Sequence, residues 1–131
     1  MERSVPTYSY IEQKRVERVF NKLEVDLKCW GVPISSKIKQ DIRRVSRKDC
    51  YAVTTMLEGG YFRISVSELI WKEYAIPAEA IRNLLAHELI HTCPGCFNHG
   101  KEWKKWVKML NAEHGFKINP YPYSKKKTAL Y

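Results

Sequence analysis

The sequence lacks any long uninterrupted run of hydrophobic residues, because Arg, Glu or His breaks each apolar stretch within a few residues. A transmembrane helix needs about 20 consecutive apolar residues, so we expect no membrane-spanning segment and no membrane partner. The first residues, Met1–Pro6, also lack the apolar segment that follows a basic start in a secretory signal. These absences lead us to expect a cytoplasmic protein.

Cysteine is scarce as well, and the four thiols are Cys29, Cys50, Cys93 and Cys96. Disulfide frameworks are typical of small secreted chains that cannot build a sufficient core. This chain has 131 residues, of which 44% are hydrophobic, and needs no such cross-links. Since no repeat, low-complexity tract or linker interrupts it, we expect one domain over residues 1–131, with a core from about 10 to 115 and an extended tail over 116–131.

Acidic residues are in the minority, with 14 Asp and Glu against 23 Lys and Arg and a net charge of +9. A surplus of this size favours polyanionic partners, and nucleic acid is the first of them. The alternative is that the charge serves solubility alone, because net charge by itself defines neither a fold nor a partner.

Hydrophobic periodicity predicts an α+β fold. Apolar residues recur at helical spacing from Tyr10 to Trp30, and the charged residues between them indicate an amphipathic helix that ends near residue 31. Residues 51–56 and 61–66 are rich in β-branched and aromatic side chains, and the glycines between them favour a hairpin. The segment 37–48 fits either a helix or a strand with a basic exposed side.

Three more helices are predicted in the second half of the chain. A short one covers Ser67–Glu73, and a longer one runs from residues 76–77, where proline suits the first turn, to about Thr92. A Pro-Gly pair then ends it. The last helix runs from about Asn98 to Gly115 and should turn these side chains inward: Trp103, Trp106, Val107 and Leu110.

The segment His87-Glu88-Leu89-Ile90-His91 carries the clearest chemistry. Residues four apart share one face of a helix, so the imidazoles of His87 and His91 can reach one metal ion. Glu88 projects toward the same side and can act as the general base that takes a proton from the attacking water. The alternative is two ordinary helix histidines and a solvated glutamate, which the apolar surroundings disfavour because unpaired ionisable groups are costly there.

A catalytic zinc usually has three protein ligands, and His99 is the best candidate for the third. It follows the Pro-Gly turn after His91, so the returning chain can bring it over the metal. The alternative is that His99 only makes a hydrogen bond at the start of the last helix. His114, near the end of that helix, is expected to be a cap or a surface residue.

This motif, followed by His99-Gly100-Lys101-Glu102-Trp103, resembles the SprT-like family, which includes the Spartan proteases. Residues 63–67 also resemble the strand-to-helix junction of that family, and the N-terminal helix is compatible with it. The resemblance implies a compact zincin-like α+β domain with a small antiparallel sheet, a Zn²⁺ cofactor and hydrolysis of peptide bonds. Better-known members act on proteins crosslinked to DNA.

Many bacterial relatives carry a separate C-terminal zinc ribbon, and this sequence shows none. Any contact with DNA is therefore expected from the basic surface. Lysines lie on the outer face of the last helix, where they could bind phosphates together with basic residues elsewhere, and a solvated helix face is the alternative. These residues are Lys101, Lys104, Lys105 and Lys108 on the helix, with Arg43, Arg44, Arg47 and Lys48 elsewhere.

Cys93 and Cys96 flank the Pro-Gly turn and admit several interpretations. We favour a structural loop with two semi-buried thiols. A redox pair is an alternative, because the turn allows the thiols to approach each other. Another is half of a structural zinc site that Cys29 and Cys50 would complete. Coordination of the catalytic ion by Cys93 would compete with His99 and ranks below these.

The predicted function is that of a zinc-dependent metallopeptidase acting on proteins or peptides, with DNA-associated proteins as a candidate substrate class. A general peptidase with incidental charge is the second hypothesis. A non-catalytic zinc-containing nucleic-acid-binding module is the third, and Glu88 argues against it because a structural site needs no carboxylate base. We expect an extended substrate to lie along the strand Tyr61–Val66.

Overall fold

The computed structural model describes residues 8–46, 50–68 and 78–119. Its main elements, in chain order, are α1 (Tyr8–Cys29), β1 (Arg43–Val45), β2 (Ala52–Met56), β3 (Phe62–Ser67), α2 (Ala78–Ile90) and α3 (Lys101–Glu113). A single turn of 3-10 helix, Glu58–Gly60, lies between β2 and β3. The described part of the chain is therefore mixed α+β, as predicted.

The helix α1 buries one apolar stripe. Val16, Phe20, Leu23 and Leu27 recur every three or four residues and are at most 1% exposed. The helix ends before Gly31, whose φ of +85° is a left-handed conformation that glycine adopts without steric cost. Since α1 packs against α2, it supports the helix that carries the His-Glu-x-x-His segment.

The strands β2 and β3 form the predicted hairpin. They pair antiparallel, with Ala52 opposite Val66, and the turn contains Gly59 and Gly60, each with φ of +79°. In this pairing Ala52 and Thr54 are buried, whereas the last two residues of β2 are exposed. One face of β2 is thus directed into the domain.

The prediction of an antiparallel sheet is wrong, because the sheet is mixed. Its strand order is β1-β3-β2, and β1 runs parallel to β3 with Arg43 opposite Ser65. The ambiguous segment 37–48 therefore contains a strand, and its arginines Arg43 and Arg44 are exposed. Periodicity reports which face of a strand is buried, but it does not report which strands are neighbours.

The central position of β3 also contradicts its predicted role as the substrate-binding strand. Its two edges pair with β1 and β2, and Phe62 makes a further bridge to Ile38. An added strand needs unpaired main-chain groups at a sheet edge. Among the described residues, β1 and β2 are the two edge strands of this sheet.

The helix boundaries differ from the prediction by a few residues. Ser67 ends β3, and residues 69–73 of the predicted short helix lie outside the described residues, as do residues 76–77. The helix α2 ends at Ile90, before Thr92. The helix α3 begins at Lys101 rather than Asn98, because the extended Gly100 caps it and donates its N–H to Oδ1 of Asn98 at 2.9 Å.

The helix α3 turns Trp103, Val107 and Leu110 into the core as predicted, whereas Trp106 is only half-buried. The chain then returns to the domain, since Phe116 and Ile118 are 3% and 5% exposed. These two residues belong to the core, although the sequence placed them in an extended tail. Within the described residues, no helix combines the length and apolarity needed to cross a bilayer.

Candidate metal centre

Three histidines meet at one point between α2 and the loop that precedes α3. His87 and His91 lie one turn apart on α2, and one ring nitrogen from each of them and from His99 lies within 4.8 Å of the others. Nε2 of His87 is 3.1 Å from Nε2 of His99. Tetrahedral zinc binds nitrogen at about 2.0–2.1 Å, which separates two ligand nitrogens by roughly 3.3 Å. The three imidazoles are therefore positioned to hold one metal ion.

The position of His99 comes from the loop between the two helices. Cys93 N–H and Cys96 N–H donate to the carbonyls of Ile90 and Cys93, both at 3.0 Å, so the chain turns immediately after α2. Gly95 takes φ of +73° within this turn. His99 lies two residues before α3 rather than in its first turn, and the loop directs it back over α2.

Main-chain carbonyls orient two of the imidazoles. Nδ1 of His91 lies 2.9 Å from the carbonyl oxygen of Cys96, and Nδ1 of His87 lies 3.0 Å from that of Asn119. Because a carbonyl oxygen only accepts, each Nδ1 carries the hydrogen and donates it. Each Nε2 then carries no hydrogen and can offer its lone pair to a metal, which is the tautomer that coordination requires.

Burial favours the neutral form of these histidines. His87 is 1% exposed, and burial, followed by the nearby His91 and His99, lowers its pKa to about 3. Burial is also the first cause that lowers the pKa of His99, with His91 and Lys104 adding to it. Metal binding requires neutral imidazole, so the surroundings disfavour the competing protonated state.

Trp103 packs against all three histidines of the centre. Its fully buried ring lies 4.8, 5.6 and 4.6 Å from the ring centroids of His87, His91 and His99. Its indole N–H also donates to the carbonyl of His87 at 3.4 Å. The sequence predicted Trp103 as a core residue from its helical spacing, and its contact with all three imidazoles was missed.

Glu88 is 2% exposed and lies beside the histidines. Its Oε2 is 4.0 Å from Nε2 of His87, and its Oε1 accepts a hydrogen bond of 2.7 Å from the hydroxyl of Thr54. Thr54 itself is 7% exposed. The sequence analysis missed Thr54, although the alternation of buried residues along β2 was a signal that this polar side chain faces inward. A cavity of about 300 Å³ lies over this site and is bounded by residues 52–54 of β2.

The segment after α3 contributes to the centre through the carbonyl of Asn119. Two asparagines hold this segment in place. Oδ1 of Asn111 accepts the N–H of Ile118 at 2.9 Å and its amide donates to the Ile118 carbonyl at 3.3 Å. Oδ1 of the buried Asn83 on α2 accepts the N–H of Lys117 at 2.7 Å. No sequence motif pointed to these contacts, because they join residues 7 and 34 positions apart.

Cys93 and Cys96 are free thiols and are 3% and 0% exposed. Burial, followed by Cys96, raises the pKa of Cys93 to about 12, and burial also raises the pKa of Cys96. Such thiols are poor nucleophiles, which favours the structural-loop interpretation. Among the described residues, neither thiol joins Cys29 or Cys50 in a group of metal ligands, and the His87-His91-His99 group does not include Cys93.

The four lysines predicted on the outer face of α3 are all exposed. Lys104 is close enough to His99 to affect its pKa, and Lys105 lies 3.6 Å from Glu102 and 4.9 Å from the ring of Trp106. The basic face therefore borders the histidine centre. These lysines are Lys101, Lys104, Lys105 and Lys108.

Among the described residues, the other basic side chains predicted to bind phosphate are Arg43 and Arg44, both exposed on β1. Arg44 on β1 forms an ion pair of 3.4 Å with Glu68, while Arg47 and Lys48 lie outside the described residues. His114 caps α3 and stacks on Trp30 with a centroid distance of 3.8 Å. It is thus a cap, as predicted.

Together, a mixed α+β fold and three histidines positioned to hold one ion define a candidate metal-binding domain. The chain matches the SprT-like family over residues 10–124 and belongs to that family. No curated protein and no solved structure matches it.

Proposed function

We propose that this protein is a zinc-dependent metallopeptidase with a zincin-like active site. The observation that carries the proposal is the position of Glu88, a buried carboxylate beside the three histidines that Thr54 holds by a short hydrogen bond. A purely structural metal site needs ligands but no such base. Membership of the SprT-like family supports the same function.

The donor set fits zinc. Three neutral imidazoles are borderline ligands that zinc accepts, and three protein ligands leave a coordination position open for chemistry. When bound, zinc supplies Lewis-acid chemistry, in that it polarises a carbonyl group and makes water more acidic. His87, His91 and His99 would hold it, with Cys96 and Asn119 orienting two of them through their carbonyls.

Glu88 would act as the general base and then as the general acid. It accepts the proton of the attacking water at Oε2, the oxygen that faces His87, and passes it to the leaving amine. The hydrogen bond from Thr54 holds Oε1, so the carboxylate keeps one orientation through both transfers. The buried position excludes bulk water, which strengthens electrostatic interactions within the site.

The edge of β2 is a better position for an extended substrate than β3. Residues 52–54 of β2 border the cavity over His87 and Glu88. A peptide that pairs with this edge through its main chain would place its backbone beside the proposed base. Such pairing selects for an extended backbone and leaves side-chain selection to neighbouring surfaces.

A Glu88→Gln variant tests the catalytic proposal. The amide keeps the size of the side chain but removes the base, so hydrolysis of casein should fall by at least about 100-fold, within the usual range for a general base. Metal content, measured by atomic emission, should stay near that of the wild type. Glu79→Gln is the matched control, since Glu79 is an exposed glutamate on the same helix. Unchanged hydrolysis by Glu88→Gln would show that Glu88 is not the base, whereas no hydrolysis by the wild type would leave the non-catalytic nucleic-acid-binding module as the better hypothesis.

We further propose DNA-associated proteins as the substrate class, because the exposed lysines of α3 border the histidine centre at Lys104. A protein that binds phosphates should lose affinity steeply as salt increases. The test compares binding of single-stranded DNA over a salt series by Lys104→Ala/Lys108→Ala and by Lys22→Ala/Lys28→Ala, which removes two exposed lysines from α1. Only the first pair should weaken binding. Equal losses, or no binding at low salt, would favour a general peptidase.

A further inference from the structure

A second groove adjoins the metal centre. The cavity over the histidines and a larger groove of about 560 Å³ share His91, Phe97 and Asn98 as walls. That volume is within the range of about 300–1,000 Å³ found for ligand pockets. The groove is therefore a lateral continuation of the candidate active site.

The walls of this groove contrast with the rest of the surface. The sequence is 28% charged, yet no Asp, Glu, Lys or Arg borders the groove among the residues that the structure describes. Two of its wall residues, Met56 and Phe97, are 54% and 48% exposed, although large apolar side chains are usually buried. Contiguous exposed apolar surface beside polar chemistry is typical of a binding site. The apolar side chains that border it are Pro33, Ile34, Met56, Phe62, Pro94 and Phe97.

The groove lies in line with β2. Thr54 holds Glu88, and Met56, two residues further along the same strand, borders the groove. Two residues of a strand span about 6.8 Å. A peptide extended along β2 would therefore place a side chain at the groove within one or two residues of the bond beside Glu88.

We propose that the groove is a specificity subsite that receives a bulky apolar side chain of the substrate next to the bond that is cleaved. This inference rests on the proposed peptidase function and names the class of peptide it would take. A charged side chain would lose its hydration in the groove without finding a partner there. Because burial of a leucine side chain is favourable, a peptide with leucine at this position should bind about 10- to 100-fold more tightly than one with aspartate.

The test measures binding separately from cleavage. Zinc-loaded Glu88→Gln is titrated with blocked pentapeptides that differ at one position, Leu, Ala or Asp, and the dissociation constants are read from ¹H–¹⁵N NMR spectra. The leucine peptide should bind at least about 10-fold more tightly than the aspartate peptide. Adding Phe97→Ser should reduce this ratio below about 3. Val25→Ser, which removes an exposed apolar residue on α1, should leave the ratio unchanged.

A second variant tests the same groove without a change in the loop between α2 and α3, whose structure Phe97→Ser could alter. Met56 lies at the exposed end of β2 and borders the same groove as Phe97. Met56→Glu places a carboxylate there, so a lysine peptide should bind more tightly than the leucine peptide. Equal affinities of the three peptides, or no spectral change at millimolar concentrations, would overturn the subsite. If the leucine preference is present but the wild type cleaves no peptide, the groove binds apolar side chains as inferred and it is the peptidase function that fails.

Discussion

The hydroxyl of Thr54 on β2 lies 2.7 Å from Oε1 of Glu88 on α2, and both side chains are buried. This contact joins the sheet to the helix that carries two of the histidines. Side chains on a strand alternate between faces, so a shift of β2 by one residue would turn Thr54 away from the helix. The register of the hairpin therefore determines the orientation of the proposed base.

Thr54→Val tests this relationship. Valine has the shape of threonine without its hydroxyl, so Oε1 of Glu88 loses its donor while the packing is retained. We expect kcat to fall by about 10- to 100-fold, from a hydrogen bond to a charged group worth roughly 1.5–3 kcal/mol. Thr54→Ser should restore most of the activity, and Thr55→Val, an exposed neighbour on β2, should have no effect. Equal kcat values for Thr54→Val and the wild type would contradict the positioning role.

His99→Ala should abolish stable metal binding. Two imidazoles on α2 would remain, and a site with two ligands holds zinc far less tightly than one with three. Zinc should raise the Tm of the wild type by about 10 °C or more, since a ligand at about 1,000 times its Kd stabilises the native state by roughly 4 kcal/mol. The variant should lose this increase. His114→Ala is the control, because His114 stacks on Trp30 away from the centre and its loss should leave the zinc-dependent increase in Tm intact.

Asn111→Ala should weaken both the fold and the metal site. The N–H and the carbonyl of Ile118 would lose their partners, at a cost of about 1–3 kcal/mol in the free energy of unfolding. Because the same segment presents the carbonyl of Asn119 to His87, zinc affinity should also fall, by about 10-fold. Denaturant titration and competition with a chelating dye measure the two effects. Glu113→Ala, an exposed change at the end of the same helix, should alter neither, and an unaltered zinc affinity in Asn111→Ala would show that the segment does not orient His87.

Cys96→Ala and Gly95→Val separate the side chains of the turn from its backbone path. His91 uses only the carbonyl of Cys96, so Cys96→Ala should keep its metal content and stay within about 3-fold of wild-type zinc affinity. Gly95 takes φ of +73°, a conformation that is costly for valine, so Gly95→Val should distort the turn and reduce zinc affinity more strongly. Loss of metal by Cys96→Ala would instead assign a ligand role to its thiol.

Local patterns predicted the elements and the histidines that meet at one point. The stripe of α1, the hairpin glycines and the four-residue spacing of His87 and His91 are all properties of neighbouring residues, and the structure agrees with them. His99 was predicted because only one short turn separates it from α2. The predicted start of α3 at Asn98 was less accurate, since Gly100 is extended, donates its N–H to Oδ1 of Asn98 and caps a helix that begins at Lys101.

The remaining features depend on contacts between distant parts of the chain. The strand β3 lies between two earlier strands and pairs parallel with β1, and the periodicity of residues indicates neither the order nor the direction of strands. Thr54 reaches Glu88 across 34 residues, and Asn119 reaches His87 across 32. The sequence after α3 was predicted to be an extended tail because it contains two prolines and a lysine run, yet Phe116 and Ile118, in the part of it that the structure describes, are buried in the core.

The two carbonyls that orient His91 and His87 have a consequence for the evolution of the site. Every amino acid offers a main-chain carbonyl, so the residues at positions 96 and 119 can drift while the imidazoles keep their orientation. Natural selection would then act on the path of the chain rather than on the identity of its side chains at these positions. Transplanting the centre into another scaffold would accordingly require copying two stretches of backbone in addition to three histidines and a glutamate.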